Sequence, residues 1–318
     1  MPAAELRAPI PKAELHLHIE GTLEPELALE IAARNRLSLP CADAAELRRR
    51  YRFHNLQSFL DVYYATMSVL RTEQDFADLA TGYLERARSQ GVRHAEIFFD
   101  PQAHSERGVG MPTVVEGLWS ALEGSERRYG ISTALIACFL RDRGVEAAME
   151  ALLAALPFRE RITGVGLDSA EVGHPPSTFV DVFGRARAEG FRCVAHAGEE
   201  GPASYIWEAL DLLKVARVDH GIRCLDDPAL VARLRDQQIP LTVCPLSNVR
   251  LHAVGSLEQH PLRRLLDAGV LATINSDDPA YFGGYVAENY LAVQRALGFD
   301  LSELEALAEN SLKARFSA

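Results

Sequence analysis

Short apolar runs alternate with amphipathic stretches along the chain. The runs Glu14–His18, Ala95–Phe99, Thr133–Phe139, Gly164–Asp168, Cys193–His196, Arg217–His220, Leu241–Cys244 and Ala272–Asn275 are too short for helices and read as buried strands. Between them apolar positions recur with the helical period, as in Phe76–Ser89, Val114–Tyr129, Val145–Leu156, Pro176–Glu189, Ser204–Lys214, Pro228–Gln237 and Pro261–Asp267. This rhythm of strand and helix predicts an α/β fold, specifically a (β/α)8 TIM barrel. A doubly wound open sheet is the alternative, weakened because no Gly-x-Gly-x-x-Gly turn follows the first strand.

One segment exceeds a minimal barrel. Residues 19–94 separate the first two strands, far more than a simple barrel loop needs. An insertion at about 25–72 is predicted to be helical and to cover the C-terminal end of the barrel as a lid. Phe53, Leu56, Phe59, Leu60, Tyr63 and Tyr64 give it an aromatic, apolar face for packing on the rim. No linker, internal repeat or low-complexity tract interrupts residues 1–318, so a single domain is expected.

Composition narrows the class. With 48% hydrophobic and 24% charged residues, the chain suits a globular protein with a large core. A formal net charge of −11 argues against a nucleic-acid-binding surface. Cys41, Cys138, Cys193, Cys224 and Cys244 are scattered without a Cys-x-x-Cys pair and read as reduced residues of a cytoplasmic protein. Met1 to Lys12 show no apolar signal region, and no run is long enough to span a membrane.

In a barrel of this kind, chemistry gathers where strands end. The first strand ends in His16-Leu17-His18. Two residues apart on a strand, the imidazoles share a face. The fifth ends in His196-Ala197-Gly198-Glu199, the sixth in Asp219-His220-Gly221, and the eighth in Ser276-Asp277-Asp278-Pro279. His16, His18, His196 and one of the two aspartates make an N3O set. It suits Zn2+ with one position left for water, although Fe2+ or another divalent ion would also fit. Such an ion brings bound water to a pKa of about 7. Lys12, Lys214 and Lys313 are the only lysines and none ends a central strand, so a lysine-bridged pair of metals is excluded and one ion is expected.

His-Leu-His-Ile-Glu-Gly, His-Ala-Gly-Glu, Asp-His-Gly, Cys-Pro-Leu-Ser-Asn and Ser-Asp-Asp-Pro-Ala, in this order, resemble the adenosine/adenine deaminase family over nearly the whole chain. The resemblance implies that His16, His18, His196 and Asp277 hold zinc. It implies that Glu199 protonates purine N1, that His220 orients the attacking water and accepts its proton, and that Asp278 binds N7. Addition at C6 breaks ring aromaticity, so N1 must be protonated alongside it, and a secluded carboxyl beside another carboxylate would carry that proton near neutral pH.

Two departures bear on the substrate, a small-molecule purine. Glu20 stands where adenosine-type members place an aspartate that binds ribose, and Glu171 stands where they place a glycine that meets N3. Free adenine bears an N–H that a nucleoside lacks, so Glu20 and Glu171 are expected to fill ribose space and read the free base. His-Ile-Glu-Gly-Thr-Leu-Glu-Pro, Glu-Ile-Phe-Phe-Asp-Pro-Gln and Ser-Ala-Glu-Val-Gly-His-Pro-Pro resemble the adenine deaminase branch. The expected reaction is hydrolysis of adenine to hypoxanthine and ammonia. Adenosine, N6-substituted adenines, another metal-dependent hydrolysis and a non-enzymatic role are the alternatives. Asp219 is expected to support a ligand from behind, Ser247 and Asn248 to fix the seventh loop, His104 to lie near the pocket, His174 to shape the purine site, and His252 and His260 to lie at the surface.

Overall fold

Residues 10–316 are described by a computed structural model. Eight strands, β1 Lys12–His18, β2 Val92–Phe99, β3 Ser132–Leu140, β4 Ile162–Asp168, β5 Arg192–Ala197, β6 Arg217–His220, β7 Leu241–Val243 and β8 Ala272–Ile274, pair in sequence order. Every pair is parallel. The ring closes between β8 and β1, where the amides of His18 and Asp277 donate to the carbonyls of Asp277 and His16 at 3.0 and 3.1 Å. This is the (β/α)8 barrel expected from the pattern, and the closure stitches two chemistry-bearing strand ends together.

The pleat sorts the side chains. Leu17, Val165, Ala195, Val218, Val243 and Ile274 join the large apolar shell beneath the helices. A second, smaller cluster of Phe98, Ile136, Cys138 and Val194 packs separately, with Phe316 against it. Gly166 belongs beside this cluster, since a Cβ there would lie 2.5 Å from Cys138 Sγ. Phe316 shuts the N-terminal end. Its ring lies 4.8 Å from the guanidinium of Arg217, and both Arg217 and the Phe316 amide bond Glu96.

Three helices, α1 Pro25–Arg34, α2 Ala44–Arg50 and α3 Leu56–Met67, occupy the long insertion. Asn55 and Ser58 form a capping box that starts α3. Phe59 and Tyr63 then pack on Phe282 and Tyr281, with ring centroids 4.8 and 5.6 Å apart. The lid is thus seated on the segment that follows β8. Two further helices, Val286–Leu297 and Leu301–Ala314, stand outside the predicted alternation and pack against β1 and β8. The predicted helix over Val114–Tyr129 divides in two because Gly124 takes a left-handed conformation (φ 71°).

At the N-terminal end of β1, Lys12 is almost wholly buried, donates to the Gln90 carbonyl at 2.8 Å and lies over Tyr290. Burial lowers its pKa to about 8. The unfolded chain, with a lysine pKa of about 10.4, then holds this proton more tightly than the native state. Lys12 therefore penalises folding below pH 8, and the penalty disappears as pH rises through that interval. Thermal melts of wild type and Lys12→Met should show their Tm difference moving in favour of wild type between about pH 8 and about 10.4. A difference independent of pH contradicts this account.

Candidate active site

The barrel carries His16 and His18 inward on β1, His196 on β5, and Asp277 just beyond β8. Nε2 of His18 lies 3.2 Å from Nε2 of His196. Asp277 Oδ1 lies 3.2 Å from His16 Nε2 and 3.5 Å from His18 Nε2. Four ligands at about 2.0 Å from a tetrahedral ion would be separated by about 3.3 Å. The ligand atoms of all four residues lie within 4.8 Å of one another, and all four residues are buried. Nε2 of His16 has no hydrogen-bond partner in the protein. The donor set fits one divalent cation with room for a further ligand.

The opposite ring nitrogens face hydrogen-bond acceptors and carboxylates. His16 Nδ1 meets Thr242 Oγ1 at 3.0 Å, and that hydroxyl donates to Asp219 Oδ1 at 2.7 Å. His196 Nδ1 faces Asp219 Oδ2 at 3.7 Å. His18 Nδ1 faces Asp168 and Asp100 at 3.7 and 3.9 Å. The Thr242 and Asp219 acceptors behind His16 and His196 favour hydrogen on Nδ1 and leave the Nε2 lone pairs for a metal. Burial pushes the Asp168 carboxyl well above its ordinary range, with Asp100 adding to the effect. Asp100 is raised in the same way by burial and then by Glu20. The pair sits behind His18 at the protonated end of its range.

Glu199 stands across the pocket from His18. Burial raises its carboxyl well above the usual range, and Asp277, Glu171 and Glu200 add to this. Asn248 Nδ2 donates to its Oε1 at 3.0 Å, while Oε2 lies 3.4 Å from His220 Nε2. Burial, helped by the imidazoles of His16, His18 and His260, lowers His220 to about 3. Asp277 runs the other way. Its burial is outweighed by His16, His220 and His18, so its carboxyl falls well below the ordinary value. Asp278 is raised well above its ordinary value by burial and by Asp277. Gly21 approaches it so closely that a Cβ would fall 2.1 Å from Asp278 Oδ1, which accounts for glycine after Glu20. His220 and Asp277 both hold left-handed backbone (φ 60° and 63°), a strain that non-glycine residues rarely adopt.

These groups face a small pocket roofed by Leu56, Phe59, Leu60, Tyr63 and Tyr64 and lined below by His18, His196, Glu199, His220, Asp277 and Asp278. Asp100, Asp168 and Ser169 complete its polar wall.

Glu20 and Glu171, expected from sequence to read the free base, make their hydrogen bonds within the protein. Neither lines the cavity. Glu20 Oε1 accepts from His104 Nε2 at 2.7 Å and from the Asp100 amide at 3.1 Å. The Glu171 carboxylate accepts from four consecutive amides, those of Gly198, Glu199, Glu200 and Gly201, at 2.5, 3.1, 2.9 and 2.9 Å. Oε1 of Glu20 is engaged while its buried Oε2 has no partner among the described residues, and the Glu171 carboxylate, fully engaged, shapes the very loop that carries Glu199. His104 is likewise committed, to Glu20 and Arg107. His260, expected at the surface, is only 3% exposed and bonds Asn248. Arg141 escaped the sequence reading. It donates to the carbonyls of His196 and His174 at 2.8 Å, and its place at the end of β3 was the available signal.

The family model described as Adenosine deaminase matches residues 11–318. An adenine deaminase of Streptomyces coelicolor is 64% identical over 97% of this chain and 91% of its own length. One of Wolinella succinogenes is 58% identical over 98% and 94%. The crystal structure of adenine deaminase from Arthrobacter aurescens superposes with a TM-score of 0.96 at 56% identity, covering 98% of this chain and 95% of that one. An amidohydrolase from Burkholderia ambifaria, solved with bound Zn, gives 0.88 at 28% identity, covering 97% and 86%.

Removing the Glu171 carboxylate strands three buried amides and the half-buried one of Glu200. Glu171→Ala should lower unfolding free energy by about 3 kcal/mol or more, measured by denaturant titration. A loss below about 1 kcal/mol would show that the loop is held by other contacts. Metal analysis of purified protein should give one divalent ion per chain, and His16→Ala should lose it. Full metal content in that variant contradicts the ligand set.

Proposed function

The chain belongs to the adenosine deaminase family, and from that premise we propose that it hydrolyses adenine to hypoxanthine and ammonia, using one Zn2+ held by His16, His18, His196 and Asp277. One observation carries the reading. A carboxyl held toward its protonated form, Glu199, faces the His/Asp quartet across an enclosed pocket. Relatives named adenine deaminase, at 64% and 58% identity over nearly the whole chain, support adenine as the substrate.

Zinc, when bound, supplies the Lewis acidity that makes a hydroxide nucleophile available near neutral pH. The protein's own groups do the rest. Glu199 meets N1 of the purine and delivers a proton there as the ring loses aromaticity at C6. His220, 3.4 Å from Glu199, orients the attacking water. Asp278 holds a raised pKa and has one carboxyl oxygen without a protein partner, so it can donate to N7 as an acid. Leu56, Phe59, Leu60, Tyr63 and Tyr64 exclude bulk water and cover the faces of the flat base. Glu20 and Glu171 contribute indirectly. Glu20 fixes the backbone at Asp100, and Glu171 fixes the loop of Glu199. No helix among the described residues is long and apolar enough to cross a membrane.

Steady-state assays by ultraviolet absorbance test the substrate. Adenine should give the larger kcat/KM than adenosine, and a clear preference for adenosine overturns the free-base reading. Glu199→Gln, which keeps size and removes the acid, should lower kcat by about 10²- to 10⁴-fold with the metal retained. Unchanged kcat in that variant would dismiss Glu199 as the proton donor.

A further inference from the structure

A continuous line of hydrogen bonds runs from a backbone amide outside the pocket to the two residues that face the reacting purine. The Leu262 amide donates to His260 Nδ1 at 3.2 Å. An amide can only donate, so Nδ1 of His260 is the acceptor and its hydrogen is on Nε2. That Nε2 lies 3.3 Å from Asn248 Oδ1 and donates to it. The direction of His260 therefore sets the orientation of the Asn248 side chain, with oxygen toward His260 and nitrogen toward the pocket. Its amide nitrogen carries two hydrogens and meets two acceptors, His220 Nδ1 at 3.2 Å and Glu199 Oε1 at 3.0 Å. Reversing the Asn248 amide would set its nitrogen against the Nε2–H of His260, donor against donor. His260 cannot turn its donor elsewhere without facing the Leu262 amide with another N–H. The whole line has one consistent direction.

We infer that Asn248 and His260 are positioning residues that lock His220 in the tautomer with hydrogen on Nε2 and leave Oε2 of Glu199 as the oxygen that bears its acidic proton. The inference rests on the adenine-hydrolysing reading for its consequence. His220 presents an N–H to the attacking oxygen and has no lone pair on Nε2 with which to accept a proton, so the proton that water gives up in becoming hydroxide leaves to solvent before the base binds. That replaces the proton-accepting part of the role expected for it from sequence. Glu199, anchored through Oε1, swings only Oε2 between His220 and N1. Neither Asn248 nor His260 lines the cavity, so neither touches the base.

The test pairs spectroscopy with kinetics on the zinc-loaded enzyme. Nitrogen NMR of protein labelled with ¹⁵N-histidine should show His220 with a bare Nδ1 and a protonated Nε2. His260→Leu removes the donor to Asn248. It should mix the His220 tautomers and lower kcat about 10- to 100-fold, with KM nearly unchanged and one zinc retained. His260→Gln keeps an acceptor for Leu262 and a donor for Asn248, so it should restore the wild-type spectrum and most of kcat. A wild-type spectrum with hydrogen on His220 Nδ1 overturns the inference. So does a folded His260→Leu enzyme with undiminished kcat, or a glutamine variant as impaired as the leucine one. If leucine prevents folding, the wild-type spectrum and the glutamine variant still decide. Failure of wild type to release ammonia from adenine would instead defeat the function, and the nitrogen spectrum would still judge the hydrogen-bond line.

Discussion

Withdrawing many carboxyl groups from water in one small volume is the constraint around which this protein is organised. Asp100, Asp168, Glu199, Asp219, Asp277 and Asp278 are all buried near the C-terminal end of the barrel. An isolated buried carboxylate is costly, so each must be protonated, paired or hydrogen-bonded. The structure uses each remedy in a different place. Asp100 and Asp168 lean on a proton, as do Glu199 and Asp278. Asp277 leans on imidazoles. Glu171 draws on four amides, Glu20 on His104 and an amide, and Glu96 on Arg217. Differences in remedy become differences in chemical role. Adjacent aspartates at 277 and 278 are pushed in opposite directions because His16, His220 and His18 together outweigh burial at Asp277, whereas burial and the neighbouring Asp277 outweigh His18 at Asp278.

Much of this was legible along the chain. Strand ends are where a barrel keeps its polar inward residues, so His16, His18, His196, Glu199, His220, Asp277 and Asp278 announced themselves by interrupting apolar runs. Spacing was sufficient to bring His16 and His18 together because β1 alternates faces and carries these two imidazoles of the His/Asp cluster on one side. Glu20 and Glu171 were harder. Their positions in the sequence place them beside the site, but the direction of a carboxylate depends on which donors surround it in space. The amides of Gly198 to Gly201 come from a loop whose fold no local pattern reveals. His260 failed for a similar reason. Preceded by Glu258 and Gln259 in a short loop, it looks solvated, and only the packing of the segments around β7 and β8 buries it.

Backbone strain was also invisible in the residue order. His220 and Asp277 adopt a left-handed conformation of a kind that costs about 1–3 kcal/mol each. Parallel strand pairing on both sides of the barrel supports them. For Asp277, the support includes its own amide and carbonyl, which bond His16 and His18. The proposed metal ligands His16, His18 and Asp277 thus hold one another in place through main chain as well as through side chains. A substitution at Asp277 would disturb barrel closure as well as ligation.

The seal made by Phe316 over Arg217 and Glu96 has a kinetic corollary. With Phe316 packed at the N-terminal end, the pocket among the described residues opens beneath Phe59, Tyr63 and Tyr64. Incoming base, incoming water, departing ammonia and departing product all use that opening. Traffic is therefore sequential. The small leaving amine must pass the larger oxopurine or wait for it.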